Sequence, residues 1–272
     1  MKYFLSLLVL PVVVFAQPSV LHYDLNSDKY LHNKNINQTR PIASITKLMT
    51  AMVVLDSNPN LQEKLSLSKK AKSSLPRQQF SRINLLNAML VKSDNGAAET
   101  LAENYPGGRD AFMREMNRHA FSFGMISTRF EDPTGLSSNN RSTAIDVATM
   151  VNKAGSYKLI RDISVQKQII IDGKFKKKVR KIVLPNTNRY ILVEFDSVVV
   201  SKTGFTNPAG YCVALLVEEK GKRSVIVVLG ANNKYDRIKK VEHVLYNDVV
   251  DSEIKEIDTK PYEPFTLEMP IM

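Results

Sequence analysis

Pro41-Ile42-Ala43-Ser44-Ile45-Thr46-Lys47-Leu48-Met49-Thr50-Ala51-Met52-Val53-Val54-Leu55 reads as a helix that begins at or just after a proline and turns apolar almost at once. Proline suits a first helical position. Ser44 and Lys47 stand three apart, so the helical repeat puts them on one face of the first turns. A serine hydroxyl is a poor nucleophile unless a base takes its proton. A lysine serves as that base only when its pKa is pushed well below about 10.4. Burial against Leu48 and Met52, together with a second cation nearby, has that effect. Backbone N–H groups and the positive end of the helix dipole can stabilise an oxyanion at the same place.

Outward from this helix the pattern changes twice. Upstream, Ser19 to Lys34 alternates and is split by a turn at Asn26-Ser27-Asp28, the pattern of a β-hairpin. Downstream, the helical period continues to about Tyr157, clearest in Ile83–Leu90 and Arg109–Phe123. Pro106-Gly107-Gly108 and Pro133-Thr134-Gly135 punctuate it. After Ile163 the strand pattern returns. Lys167–Ile171 and Lys178–Leu184 flank Asp172-Gly173, a hairpin signal. Val198–Thr203, Tyr211–Glu218 and Ser224–Leu229 follow, and a last amphipathic helix runs from about Tyr235 to Val250. The expectation is an α/β (α+β) chain in which early and late strands join in one antiparallel sheet flanked by helices. A mostly helical lobe, about 46–157, is inserted between the sheet segments.

The ends read differently. One lysine precedes an apolar run from Tyr3 to Phe15 that closes on Val14-Phe15-Ala16, so residues 1–16 are expected to be a secretory signal peptide. The run is shorter than the roughly 20 residues of a membrane span. No integral membrane segment is then expected after cleavage. Residues 17–250 form the expected domain. Residues 251–272 are acidic and contain three prolines, as in an extended tail. Cys212 is the only cysteine, which excludes an intramolecular disulfide. The formal charge is +11, and losing Lys2 with the signal leaves +10. An exported basic chain meets anionic envelope polymers or head groups, so nucleic acid is not an expected partner. The densest basic run, 174–181, is either a contact for such a polymer or a solvated hairpin. His22, His32, His119 and His243 have no metal-ligand spacing. No cofactor or metal is expected.

Motif counts have to be weighed against chance. Ser-x-x-Lys occurs four times, at Ser44, Ser66, Ser164 and Ser252. Ser-x-Asn occurs three times, beginning at Ser93, Ser137 and Ser138. Lys202-Thr203-Gly204 is unique and ends an apolar strand. Only the ordered set, each member in a fitting element, is specific. That set resembles the penicillin-recognising serine enzymes. Arg40–Thr50, Phe130-Glu131-Asp132-Pro133-Thr134-Gly135-Leu136 and Lys202–Asn207 narrow the likeness to D-alanyl-D-alanine peptidases of the low-molecular-mass penicillin-binding proteins. Tyr105-Pro106-Gly107-Gly108 and Asn186-Thr187-Asn188 resemble the endopeptidase branch of the penicillin-binding protein 7 type. That branch has an acidic residue and Arg-Ala-Ala around its second motif, where this chain has Ser93-Asp94-Asn95-Gly96-Ala97-Ala98.

The resemblance implies a β-lactamase/transpeptidase-like fold and a periplasmic serine peptidase acting on peptidoglycan peptide stems. Ser44 attacks the D-alanyl carbonyl and Lys47 is its base. Ser93 relays a proton to the leaving amine, and Asn95 holds the peptide amide. Lys202 and Thr203 take the substrate carboxylate, and Lys202 is also the second cation beside Lys47. Gly204 lets the substrate lie close to the strand. The backbone N–H groups of Ser44 and Phe205 form the oxyanion hole. β-Lactams acylate the same serine, and other cell-wall enzymes are candidate partners. Cleavage of D-alanyl cross-links is preferred over release of terminal D-Ala. A class A β-lactamase needs a Glu-x-x-Leu-Asn segment, which Glu131-Asp132-Pro133-Thr134-Gly135 does not supply. A non-catalytic wall-binding scaffold has no need for Ser44, Lys47 and Lys202 together.

Overall fold

The computed structural model describes residues 17–175 and 178–250. The expected signal peptide, the C-terminal tail and the middle of the basic run lie outside the described residues. Strands β1 (Ser19–Asp24), β2 (Lys29–Lys34) and β3 (Arg40–Pro41) lead into a 3-10 turn at Ala43–Thr46 and helix α1 (Lys47–Asp56). The short pair β4 (Lys64–Ser66) and β5 (Gln79–Ser81) precedes α2 (Arg82–Val91), α3 (Asn95–Glu103) and α4 (Gly108–Ser122). Next come β6 (Arg141–Ser142), α5 (Ala144–Ala154), α6 (Lys158–Ser164), β7 (Gln168–Phe175), β8 (Lys178–Pro185) and α7 (Arg189–Glu194). The chain closes with β9 (Val198–Thr206), β10 (Gly210–Glu219), β11 (Lys222–Ala231) and α8 (Lys234–Val250).

Early and late strands meet in one five-stranded sheet of order β2-β1-β11-β10-β9, antiparallel throughout. The two-residue repeat of the strands sends alternate side chains to opposite faces. On β10, Cys212, Ala214 and Leu216 join the core beneath α1–α6, whereas Val213, Leu215 and Val217 join a second core with Val241 and Val244 of α8. Helices therefore cover both faces of the sheet, as the sequence predicts. Every residue of α1 from Lys47 to Val54 is buried. Such a helix has no solvent face and belongs at the centre of its layer. It packs against α2, α3, α4 and α5.

Two local expectations are corrected. Asp172-Gly173 is not a turn. It lies inside β7, paired with Lys181 and Arg180, and the pairing continues as far as Phe175 with Lys178. A two-residue type I′ turn needs positive φ at both positions, and neither residue has it. Ser44 is not in an α-helix either, because α1 begins at Lys47 and Ser44 sits in the 3-10 turn.

Candidate active site

The site is built from three chain segments against one edge of the sheet. The 3-10 turn has about three residues per turn, so side chains at i and i+3 eclipse. Ser44 and Lys47 accordingly stack, and Lys47 Nζ lies 2.9 Å from Ser44 Oγ. The turn is entered through Ala43, whose φ is +46°. A non-glycine residue is held there only by its surroundings. Gly135 supplies part of that support, since a Cβ on it would overlap the Ala43 carbonyl, and its own φ is +82°.

Lys47 Nζ has two further acceptors, Asn95 Oδ1 at 2.7 Å and the Thr134 carbonyl at 2.5 Å. The Thr134 loop is organised by one carboxylate. Asp132 accepts from the amides of Thr134, Gly135 and Ser137 and from the Thr134 hydroxyl. Asn140 closes the loop from behind, donating to Thr46 Oγ1 and the Asp132 carbonyl while accepting from the amides of Glu131 and Asp132. Burial lowers the Lys47 pKa from 10.5 to about 7, against the upward pull of Asp132, Asp94 and Glu99. Desolvation is thus the main cause.

Ser93 has φ +63° in the bend between α2 and α3. The next residue, Asp94, caps α3 by accepting from the Ala97 amide, as capping carboxylates do. Asn95 is therefore spared the capping role, and its side chain faces Lys47. Lys202, 1% exposed on β9, donates to Ser93 Oγ at 3.0 Å and to the Thr203 carbonyl at 2.9 Å. Its pKa is driven well down by burial and then by the charges of Lys47 and Arg237. Lys202 feels Lys47, but its own bonds run to the Ser93 side of the cleft.

β9 is the outer strand of the sheet and runs beside the nucleophile turn. A Cβ on Gly204 would meet Ser44 N at 2.9 Å and Ala43 Cβ at 3.0 Å. What this glycine admits is the serine's own backbone. Ser44, Ser93, Thr203, Gly204 and Phe205 line one open cleft. The structure thus gathers the eight sequence-predicted residues into two bonded groups, Ser44–Lys47–Asn95 and Ser93–Lys202–Thr203, with Gly204 and Phe205 at their junction.

A scan against family models matches residues 13–233 to the D-alanyl-D-alanine carboxypeptidase family, peptidase S11. The chain belongs to this family. Similar relatives include the D-alanyl-D-alanine endopeptidases of Escherichia coli K12 and Pseudomonas aeruginosa. Each is 38% identical over 228 residues, covering 81% of this chain and 73% of the relative. Among solved structures, penicillin-binding protein D2 from Listeria monocytogenes in its ampicillin-bound form matches with a TM-score of 0.75 and 29% identity. The match covers 87% of this chain and 98% of that one.

Several residues of this S11 peptidase site escaped the sequence reading. Thr187 lines the cleft and accepts from Thr203 Oγ1 at 2.6 Å. Its loop is clamped by Asn186, which donates to the carbonyls of Ser164 and Gln166, and by Asn188, which donates to Ser201 Oγ. Asn186-Thr187-Asn188 was visible as a family-like triplet, without a role. Arg237 of α8 also lines the cleft and is 5% exposed, with no hydrogen bond from its guanidinium to any described residue. No sequence signal distinguishes it among 38 Lys and Arg residues.

Proposed function

We propose that this protein is an exported serine D,D-peptidase that cleaves D-alanyl cross-links of peptidoglycan through an acyl-enzyme on Ser44. The carrying observation is Lys47, fully buried, with Nζ 2.9 Å from Ser44 Oγ and a pKa lowered to about 7. A neutral amine has two hydrogens and one lone pair. With its hydrogens given to Asn95 Oδ1 and the Thr134 carbonyl, its lone pair faces the Ser44 hydroxyl. Lys47 takes that proton as Ser44 Oγ attacks the D-alanyl carbonyl. The resulting ammonium finds three acceptors already in place.

The developing oxyanion is received by the Ser44 and Phe205 amides. As the C–N bond breaks, Ser93, held by Lys202, relays to the leaving amine the proton that Lys47 took, and water then hydrolyses the acyl ester and returns a proton to Ser44. Asn95 also holds the peptide amide. Thr203 and Arg237, whose guanidinium has no hydrogen bond to any described residue, hold the carboxylate beside the scissile nitrogen. Arg237 lines the cleft with a largely buried, positively charged side chain, so an anionic group is the natural occupant of that end. β-Lactams present a strained amide to the same serine. The reading places the protein in the periplasm, delivered by residues 1–16, where its substrate lies.

Fluorescent penicillin is expected to label the wild-type protein and not Ser44→Ala. Digestion of purified muropeptides separates the two D-alanyl activities. Loss of cross-linked dimers supports the endopeptidase, and loss of terminal D-Ala alone supports the carboxypeptidase. An unlabelled wild-type protein refutes the enzymatic reading altogether.

A further inference from the structure

The cleft continues past Thr203 and Gly204. Its far wall consists of Phe205, Tyr211 and two cations from the start of α8, Lys234 and Arg237. The Phe205 and Tyr211 rings lie against each other, centroids 4.2 Å apart and planes 35° from parallel. Phe205 is 50% exposed although it sits at the heart of the site. It also borders a second hollow, edged by Asn207, Gly210, Gly230 and Asn232. The two hollows adjoin across one aromatic ring.

Charge is unbalanced on this wall. A leaving group of one amino acid carries a single carboxylate, and the buried Arg237 is enough to hold it. Lys234 stands three residues earlier on the same helix, about 5–6 Å away between Cβ atoms. It is exposed and has no ion-pair partner among the described residues. The nearby carboxylate, Asp236, is already engaged by Lys240 Nζ at 2.6 Å and the Asn232 amide at 2.9 Å. A single-residue leaving group leaves both the second cation and the bare ring unused.

We propose that this wall is a subsite for the leaving strand of a cross-linked peptide, in which Lys234 pairs with a second carboxylate farther along that strand and the Phe205–Tyr211 pair supports its aliphatic stretch. The inference rests on the D,D-peptidase reading and deepens it by naming what favours a cross-link over a chain end. An aliphatic connector crossing the Phe205 ring removes apolar surface of both from water. The contact of Lys234 is made at the solvent edge, where ion pairs contribute modestly. The effect is selection between substrates rather than control of the chemistry at Ser44.

The test uses the full chain with three substrates. These are a peptide dimer joined by a D-alanyl bond to a side-chain amine whose carbon also bears a carboxylate, the same dimer with only its second, distal carboxylate amidated, and a single stem ending in D-Ala-D-Ala. In the wild type, amidation is expected to lower kcat/KM for the dimer about fivefold, the upper end for an exposed ion pair. In Lys234→Ala the two dimers are expected to react equally, and Lys234→Arg restores the difference. Phe205→Ala is expected to lower dimer cleavage more than single-stem cleavage. Unchanged sensitivity to amidation in Lys234→Ala, or an equal fall for dimer and single stem, overturns the proposal alone. A wild type that is acylated by penicillin yet cleaves no dimer overturns the endopeptidase reading and the subsite with it.

Discussion

Replacing Lys47 by methionine removes a buried titratable group while keeping a long, flexible side chain of similar size. The folded-state pKa of Lys47 is about 7, against 10.5 for an ordinary lysine, with burial as the main cause. Between these values the native chain has released the proton and the unfolded chain still holds it. Unfolding therefore takes up a proton, and stability rises as pH climbs through the window. The two states differ by about half a proton at pH 7 and about nine-tenths at pH 8. At about 1.4 kcal/mol per proton and pH unit, the wild type gains about 2 kcal/mol from this group between pH 7 and pH 9.

Urea unfolding at pH 7, 8 and 9, followed by circular dichroism, measures that gain directly. In Lys47→Met it is expected to vanish, whatever the variant's absolute stability. Methionine leaves Asn95 Oδ1 and the Thr134 carbonyl without their donor, and that loss does not depend on pH in this range. Lys202, also lowered by burial, adds to the slope in both proteins with the same sign. The difference between the two slopes reports Lys47 together with its electrostatic effect on Lys202, which is the smaller cause of the Lys202 shift after burial. Equal slopes would refute the argument, because burial would then not be discharging the lysine.

The same titration is expected in the chemistry, with penicillin acylation of the wild type falling about tenfold per pH unit below about pH 7, measured by stopped-flow labelling. Gly204→Ala places a Cβ 2.9 Å from Ser44 N and displaces the nucleophile turn. Acylation is expected to drop roughly a hundredfold, and thermal unfolding to show an overpacking cost of about 1–3 kcal/mol. Gly135→Ala combines a positive φ with overlap of the Ala43 carbonyl. Thermal unfolding is expected to show a loss of about 3 kcal/mol, or roughly 6–12 °C. Asn140→Ala breaks four hydrogen bonds, three of them buried. It is expected to cost about 2–4 kcal/mol in urea unfolding and to loosen the Thr134 acceptor, so acylation slows as well.

Much of this was legible before folding because it depends on near neighbours in the chain. Side chains three apart meet in either a 3-10 or an α-helical turn, so the Ser44–Lys47 pair survives the correction of its element. The apolar runs along β10 and β11 are continuous rather than alternating, which suits a sheet covered on both faces, and the two cores divide their alternate side chains accordingly. The Asp172-Gly173 signal failed because a dipeptide propensity is weak beside eight paired residues on each strand. The left-handed Ala43 was invisible for a related reason. Its conformation is imposed by Gly135 and by β9, which reach it only in the folded chain.

Local covalent order supplied the kinds of chemistry: a hydroxyl beside an amine, a Ser-Asp-Asn bend, a Lys-Thr-Gly strand. Tertiary structure alone chose the partners. Asn95 rather than a cap for its own helix, the Thr134 carbonyl as a third acceptor, and Arg237 at the far wall all come from other segments, brought in by packing and sheet register. The same folding strips water from Lys47. An amine's basicity follows from what surrounds it, and no short stretch of chain encloses a side chain by itself.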